Sequence, residues 1–207
     1  MLFLSALIPA AFICVASFSG CSSKNDDASS GGDAGDSDVS SSAQEGTETP
    51  KVEITMEDGG TITLELDRDN APKTVENFLK LINDKFYDGL TFHRIIPNFM
   101  IQGGDPEGTG MGGSDEEIVG EFSSNGFSNS LSHTRGVISM ARSQNMDSAS
   151  SQFFITNADA PNLDGDYAAF GRVTDGMDVV DKISAVKTGA NDRPVEPVVI
   201  KSIRVID

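Results

Sequence analysis

The stretch Phe92-His93-Arg94-Ile95-Ile96-Pro97-Asn98-Phe99-Met100-Ile101-Gln102-Gly103-Gly104-Asp105 constrains this chain more than any other. It reads as two short apolar strands joined at Pro97-Asn98 and closed by a Gly-Gly-Asp turn. Strand side chains alternate between faces, so Arg94 and Ile96 share one face while His93 and Ile95 share the other. Arginine is seldom fully buried without a partner. Arg94, inside so apolar a segment, therefore meets a carboxylate or lines a pocket.

The flanking pattern sets the fold class. Upstream, Val52, Ile54 and Met56 alternate with polar residues. Asp58-Gly59-Gly60 is a turn signal, and Ile62, Leu64 and Leu66 alternate again, which predicts a β-hairpin. Asn70 as cap and Pro72 in the first turn predict a helix carrying Val75, Phe78, Leu79 and Ile82 on one face. Downstream, residues 103–126 are Gly-rich and acidic and predict a long loop. That loop lacks the Lys and the following helix of a phosphate-binding P-loop. Strands are predicted over 136–141, 151–156, 169–173 and 197–206. A second helix is predicted over 175–185, with Asp175 as cap. Many short strands, two helices and no βαβ alternation point to a mainly β chain closed into an antiparallel barrel.

The first fifty residues specify an address rather than chemistry. Residues 1–20 form an apolar run ending in small residues, as a secretory signal peptide does. The run is also about long enough to span a membrane, so a retained anchor is the alternative. Ser19-Gly20-Cys21 resembles a bacterial lipobox, in which the cysteine is lipidated and becomes the mature N-terminus. Phe18 stands where such motifs usually carry Leu, and no Lys or Arg precedes the apolar run. Stable attachment would need more than one acyl chain on that cysteine. Residues 22–50 set Asp26, Asp27, Asp33, Asp36, Asp38, Glu45 and Glu48 against Lys24, with almost nothing apolar. Such a segment cannot bury enough surface to offset its chain entropy, so a disordered acidic Ser/Gly linker is expected. The organisation is then a signal peptide at 1–20, a lipidated Cys21 with its linker to 50, and one folded domain over 51–207. An extracytoplasmic protein held at a bacterial membrane is expected.

A net charge of −17 argues against nucleic acid, which demands clustered Lys and Arg. The two cysteines, Cys14 and Cys21, both precede the folded part, which excludes a disulfide framework there. With two histidines and no cysteine in the domain, neither a transition-metal site nor another cofactor is expected. His93 is expected to be a satisfied structural histidine, and His133, in a polar Ser/Asn stretch, to be exposed. No nucleophile motif supports a Ser-His-Asp triad. No apolar surface stripe calls for a dimer, so a monomer is expected.

The run from Phe92 to Asp105 resembles the cyclophilin family of peptidyl-prolyl isomerases. Further matches follow in that family's order: Gly136-Val-Ile-Ser-Met-Ala141, Ser151-Gln-Phe-Phe-Ile155, Leu163-Asp164-Gly165 and Phe170-Gly-Arg-Val173. The resemblance covers about residues 51–207 and implies an eight-stranded antiparallel barrel capped by two helices. It also implies proline-containing polypeptides as substrates.

Turning a prolyl peptide bond needs no nucleophile. The barrier of about 18–20 kcal/mol comes from amide resonance that twisting must break. A donor aimed at the pyramidal proline nitrogen favours the twisted state over the planar one. The resemblance assigns that role to Arg94, with an ion pair in the barrel wall as the alternative. It places Phe99, Met100, Phe154 and Leu163 around the proline ring. Gln102 is expected to bond substrate backbone and steady Arg94, and Gln152 to bind substrate. Ala141 lines the groove, where a larger side chain would block the peptide. Arg142 and Ser143 stand where the family often has Asn and Ala. Asn162 replaces the Trp of cyclosporin-sensitive relatives, so weak cyclosporin inhibition is expected. Tyr167 replaces a common His but keeps a hydrogen-bond donor. Two other functions compete: a module that holds proline segments with little turnover, and a substrate-binding lipoprotein. The barrel motifs do not fit the second.

Overall fold

The structure, a computed structural model, describes residues 49–206. The signal segment, Cys21 and linker residues up to 48 lie outside the described residues. The chain opens with a hairpin of β1 (Lys51–Met56) and β2 (Thr61–Leu66). Val52, Ile54, Met56, Ile62, Leu64 and Leu66 are all buried, with the residues between them turned outward. The two-residue periodicity thus becomes one buried face. Helix α1 (Pro72–Asn83) follows, then β3 (Arg94–Ile96), β4 (Met100–Gly103), β5 (Val137–Met140), β6 (Phe153–Thr156) and β7 (Ala169–Asp175). Helix α2 (Met177–Ser184) and β8 (Ile200–Val205) complete the fold. Among the described residues, no helix is long and apolar enough to cross a membrane.

The eight strands form one antiparallel sheet in the order β3-β4-β6-β5-β7-β2-β1-β8. The sheet is mainly antiparallel β with two helices, as expected, but its ladder is curled and open rather than continuously closed. The edge strands β3 and β8 do not pair along their lengths. Their ends meet through the segments just ahead of them: Thr91 bridges Val199, Phe92 N donates to Val198 O at 3.0 Å, and Ile200 N to Leu90 O at 2.8 Å. β3 is only three residues long and runs into Pro97, which has no N–H to extend a ladder.

α1 buries Val75, Phe78, Leu81 and Ile82 against the sheet. Phe78 is the hub of the core, with ring centroids 5.2 Å from Tyr87, 5.5 Å from Phe153 and 5.1 Å from Phe170. Such tilted and edge-on contacts add to plain area burial.

Both predicted caps are corrected. Asn70 does not cap α1, whose cap position is Ala71. The Asn70 Oδ1 instead accepts from Ser130 N and Oγ, at 2.9 and 2.8 Å. The cap comes from far along the chain: the Glu121 carboxylate accepts from Lys73 N at 3.0 Å and Thr74 N at 2.8 Å. Asp175 ends β7, and Gly176, at φ 86°, is the residue that leads into α2. A Cβ at Gly176 would run into the Thr61 carbonyl, so only glycine makes that turn.

Candidate active site

The β3–β4 hairpin pairs Arg94 with Gln102 and Ile96 with Met100. β6 then places Phe154 beside Gln102. Directly paired residues share a face. Arg94, Gln102 and Phe154 therefore stand in a row across three strands. The connection is tight: Asn98 takes φ 58°, and Phe99 N donates to Ile96 O at 3.2 Å. His93 points the other way, as alternation requires. It is only 7% exposed, while the Arg94 side chain is 45% exposed.

A cavity of about 150 Å³ is lined by Arg94, Phe99, Met100, Gln102, Ala141, Arg142, Phe154, Leu163 and Tyr167. Its floor is a small apolar cluster, distinct from the main core, of Met100, Phe154, Leu163 and Ala160. Ala160 carries no sequence signal and joins through the turn ahead of Pro161. Tyr167 stands edge-on to Phe154, centroids 5.9 Å apart. The Arg142 guanidinium lies 4.8 Å from the Tyr167 ring centre and 5.0 Å from that of Phe122. Its Nε donates to Asp166 O at 2.9 Å. Stacked and bonded, Arg142 serves as groove wall.

Gln152 stands behind this lining. Its Oε1 accepts from Gln102 Nε2 at 2.8 Å, and its own Nε2 donates to Gly112 O at 2.7 Å. Gln102 is thus steadied by Gln152, not paired with Arg94 as the sequence suggested. This arrangement fixes the amide with Gln102 Oε1 bonded to nothing among the described residues and so able to accept from a donor in the groove. Arg94 donates from Nε to Asp192 Oδ2 at 3.4 Å, an ion pair between two half-exposed side chains. Asp192 has no motif of its own in the sequence.

The two histidines depart from expectation. His133 is 1% exposed, not solvated. Its Nδ1 meets Asp164 Oδ1 at 2.9 Å and its Nε2 meets Ser139 Oγ at 3.0 Å. Its backbone N also donates to Asp164 Oδ1, and its carbonyl accepts from Ala160 N, both at 2.7 Å. The ring stacks behind Phe154, at 6.0 Å and 17°. His133 therefore braces three parts of the floor at once: Phe154, Ala160 and the Leu163-Asp164 turn. The Ser-His-Asp order looks like a hydrolytic triad, but Ser139 is fully buried, so no substrate reaches it. His93 is buried, but it is not the satisfied histidine expected: neither ring nitrogen has a protein partner among the described residues. No cluster of three or more His, Cys, Asp or Glu able to hold a metal occurs among those residues.

Burial holds both histidines below their ordinary pKa, and at His133 the facing Asp164 opposes that shift without cancelling it. For Asp164, burial pushes upward, but hydrogen bonds from His133 outweigh it and hold the carboxyl low. A histidine depressed in the folded state is protonated first in the unfolded chain. Its contribution is complete above the unfolded pKa of about 6.5 and is lost as pH falls through the folded value. Unfolding free energy is thus expected to drop from pH 7.5 to 5.5, by at most about 1.4 kcal/mol per pH unit for each histidine. Urea unfolding across that range checks this, and a flat or rising profile contradicts it.

The model of the family described as cyclophilin type peptidyl-prolyl cis-trans isomerase/CLD matches residues 51–205. A Gibberella zeae protein named peptidyl-prolyl cis-trans isomerase-like 1 is 48% identical over 157 residues, 75% of this chain and 93% of that protein. A putative bifunctional phosphatase/peptidyl-prolyl cis-trans isomerase of Streptococcus pyogenes is 42% identical over 76% of this chain and 39% of its own length. The crystal structure of a Cryptosporidium parvum cyclophilin type isomerase superposes with a TM-score of 0.71 at 31% identity, covering 77% of this chain and 99% of that one. The same protein in the presence of the dipeptide Ala-Pro gives 0.70 at 33% identity, with 76% and 99% covered.

Proposed function

Because the chain belongs to the cyclophilin-type peptidyl-prolyl cis-trans isomerase family, we propose that its groove turns Xaa-Pro bonds with Arg94 as the group acting on the twisting amide. One observation carries this reading: the registered row of Arg94, Gln102 and Phe154, which sets a permanent cation at the rim of an apolar floor. A proline ring brings no N–H to satisfy, so Met100, Phe154 and Leu163 suit it. Twisting leaves a lone pair on the proline nitrogen, and the guanidinium Nη atoms can donate to it. The planar ground state offers no such acceptor, so the bond favours the twisted state selectively. Gln102, held by Gln152, supplies an acceptor for substrate backbone N–H. Phe99 closes the ring side of the floor. Water is displaced from the apolar part, which strengthens the donor's effect.

The expected activity is acceleration of cis/trans interconversion, which takes tens to hundreds of seconds uncatalysed. A protease-coupled assay with an Ala-Ala-Pro-Phe tetrapeptide tests it. Binding without acceleration would favour the proline-holding module instead. Ala141 provides a control inside the same assay. It is half-buried at the end of β5 and lines the groove. Ala141→Leu is expected to cut kcat/KM at least about tenfold by occupying peptide space, with the fold retained. An Ala141→Leu protein as active as the parent would remove this groove from the mechanism.

We also place the enzyme outside the cytoplasm of a bacterium, as a membrane-anchored lipoprotein acting on secreted chains. The support is the apolar run at 1–20, the Ser19-Gly20-Cys21 motif and the acidic linker. Mass spectrometry of the mature N-terminus decides this: diacyl or triacyl Cys21 is expected, and an unmodified cysteine overturns the anchor.

A further inference from the structure

We propose that Asp192 is a positioning residue for catalysis: its carboxylate holds the Arg94 guanidinium at Nε and leaves both Nη nitrogens to face the substrate amide. This rests on the role given above to Arg94. Among the described residues, the hydrogen bond to Asp192 is the one that the Arg94 side chain makes. The contact therefore fixes one edge of the guanidinium and leaves the terminal fork open.

Asp192 is delivered by a built loop. Between α2 and β8, residues 187–195 fold back on themselves. Val195 N donates to Lys187 O at 2.9 Å, Gly189 N to Arg193 O at 2.7 Å, and Thr188 bridges Pro194. Arg193 then ties this loop to the Gly-rich segment by donating to Gly108 O. At its tip, Asn191 and Asp192 both take φ 59°. Left-handed backbone is costly for side-chain-bearing residues, and Asn and Asp tolerate it best. Two consecutive residues in that region persist only where the surroundings enforce them, and such strain collects at functional sites. Its result here is to aim one carboxylate at Arg94.

The direction of approach also fits. Arg94 and Gln102 form the wall between the substrate groove and a second cavity of about 760 Å³, which Asp192 and Arg193 line. Asp192 thus reaches Arg94 from the second cavity without entering the substrate groove. A half-exposed ion pair adds little to folding stability. What it can do is select among the rotamers of a long, flexible side chain, and misplacement of a reacting group costs rate steeply.

Three substitutions and a cycle test this. Asp192→Gly removes the carboxylate and relieves the positive φ, so a fall in activity does not come from backbone strain. Its turnover of the tetrapeptide is expected to fall about fivefold, with peptide affinity by NMR titration changed less than twofold. Asp192→Asn keeps an acceptor and the left-handed preference, and is expected to restore most of the rate. In an Arg94→Ala background, Asp192→Gly is expected to have no further effect. Unchanged or faster turnover in Asp192→Gly overturns the proposal, as does an equal loss in the Arg94→Ala background. An Arg94→Ala protein with full activity would sink the Arg94 mechanism itself, a separate result from a normal Asp192→Gly protein beside an impaired Arg94→Ala one.

Discussion

Replacing Arg94 by Ala is expected to lower kcat/KM about 100- to 1,000-fold while leaving the fold intact. Removing one preorganised donor aimed at developing charge typically costs that much. Here the donor is the one permanent cation in the row, set across from Gln102 in strict antiparallel register. Stability should barely move. The Arg94 side chain is 45% exposed and its ion pair with Asp192 is long, at 3.4 Å. Exposed pairs of this kind contribute about 0–1 kcal/mol. The apolar floor does not involve Arg94, so peptide affinity should change far less than turnover. Arg94→Lys separates charge from geometry. Lysine offers a point charge on a flexible stem rather than a rigid fork held at Nε, so it should recover only a small part of the rate. Tetrapeptide turnover and thermal melting of the three proteins check this. Full activity in Arg94→Ala would leave the guanidinium with no part in the chemistry.

How much of this site can be read from the sequence depends on how far apart the partners lie. Within the row, the pairing of Arg94 with Gln102 is legible because it is built from local pattern, whereas Phe154 comes from a distant strand and is placed there only by the family resemblance. Pro97-Asn98 sets a short turn, the turn sets the register, and alternation then fixes which side chains share a face. His93, on the opposite face, follows by the same rule. Apart from His93, whose ring nitrogens meet no partner among the described residues, the misses share one cause: each is a side chain satisfied by a partner remote in sequence. His133 looks exposed because its neighbours are Ser132 and Thr134, yet its partners are Asp164 and Ser139, brought together by the packing of β5 against the Leu163 turn. Asp192 lies 98 residues from Arg94. Hydrophobic periodicity says nothing about such pairs, since it reports which face is buried and not which polar atom meets which. The expected closed barrel fails for a related reason. Strand count and alternation are local, but whether β3 and β8 pair depends on three-dimensional curl and on how short β3 is. The helix caps show the limit most sharply. Asn70-Ala71-Pro72 has the local signature of a helix start, and the start is indeed at Pro72, but the capping oxygen is not local.

That oxygen belongs to Glu121, and Glu121→Ala is expected to destabilise the protein by about 2–4 kcal/mol. The side chain is fully buried. It accepts from Lys73 N and Thr74 N, two of the first-turn N–H groups that no intrahelical carbonyl can reach, and from Thr74 Oγ1 at 2.7 Å. Pro72, ahead of them, has no N–H to satisfy. A local cap of Ser, Asp or Asn is worth about 1 kcal/mol. This one is worth more because Thr74 is buried, so its N–H and its hydroxyl would each be left bare at a cost of about 1–3 kcal/mol, whereas the N–H of exposed Lys73 can turn to water. The carboxylate also faces the positive end of the α1 dipole. Its backbone holds a second tie, since Asn129 Nδ2 donates to Glu121 O at 3.0 Å. The cap thus fastens the long Gly-rich loop to α1, and through Phe78 to the aromatic core that carries β6 and Phe154. Glu121→Gln tests the assignment without a cavity. It keeps one acceptor oxygen but sets an NH₂ where another donor already points, so it should cost roughly half as much as Glu121→Ala. Urea unfolding of the two variants measures both numbers. If Glu121→Ala unfolds within about 0.5 kcal/mol of the parent, solvent or another group satisfies the Lys73 and Thr74 donors and the carboxylate is not the cap.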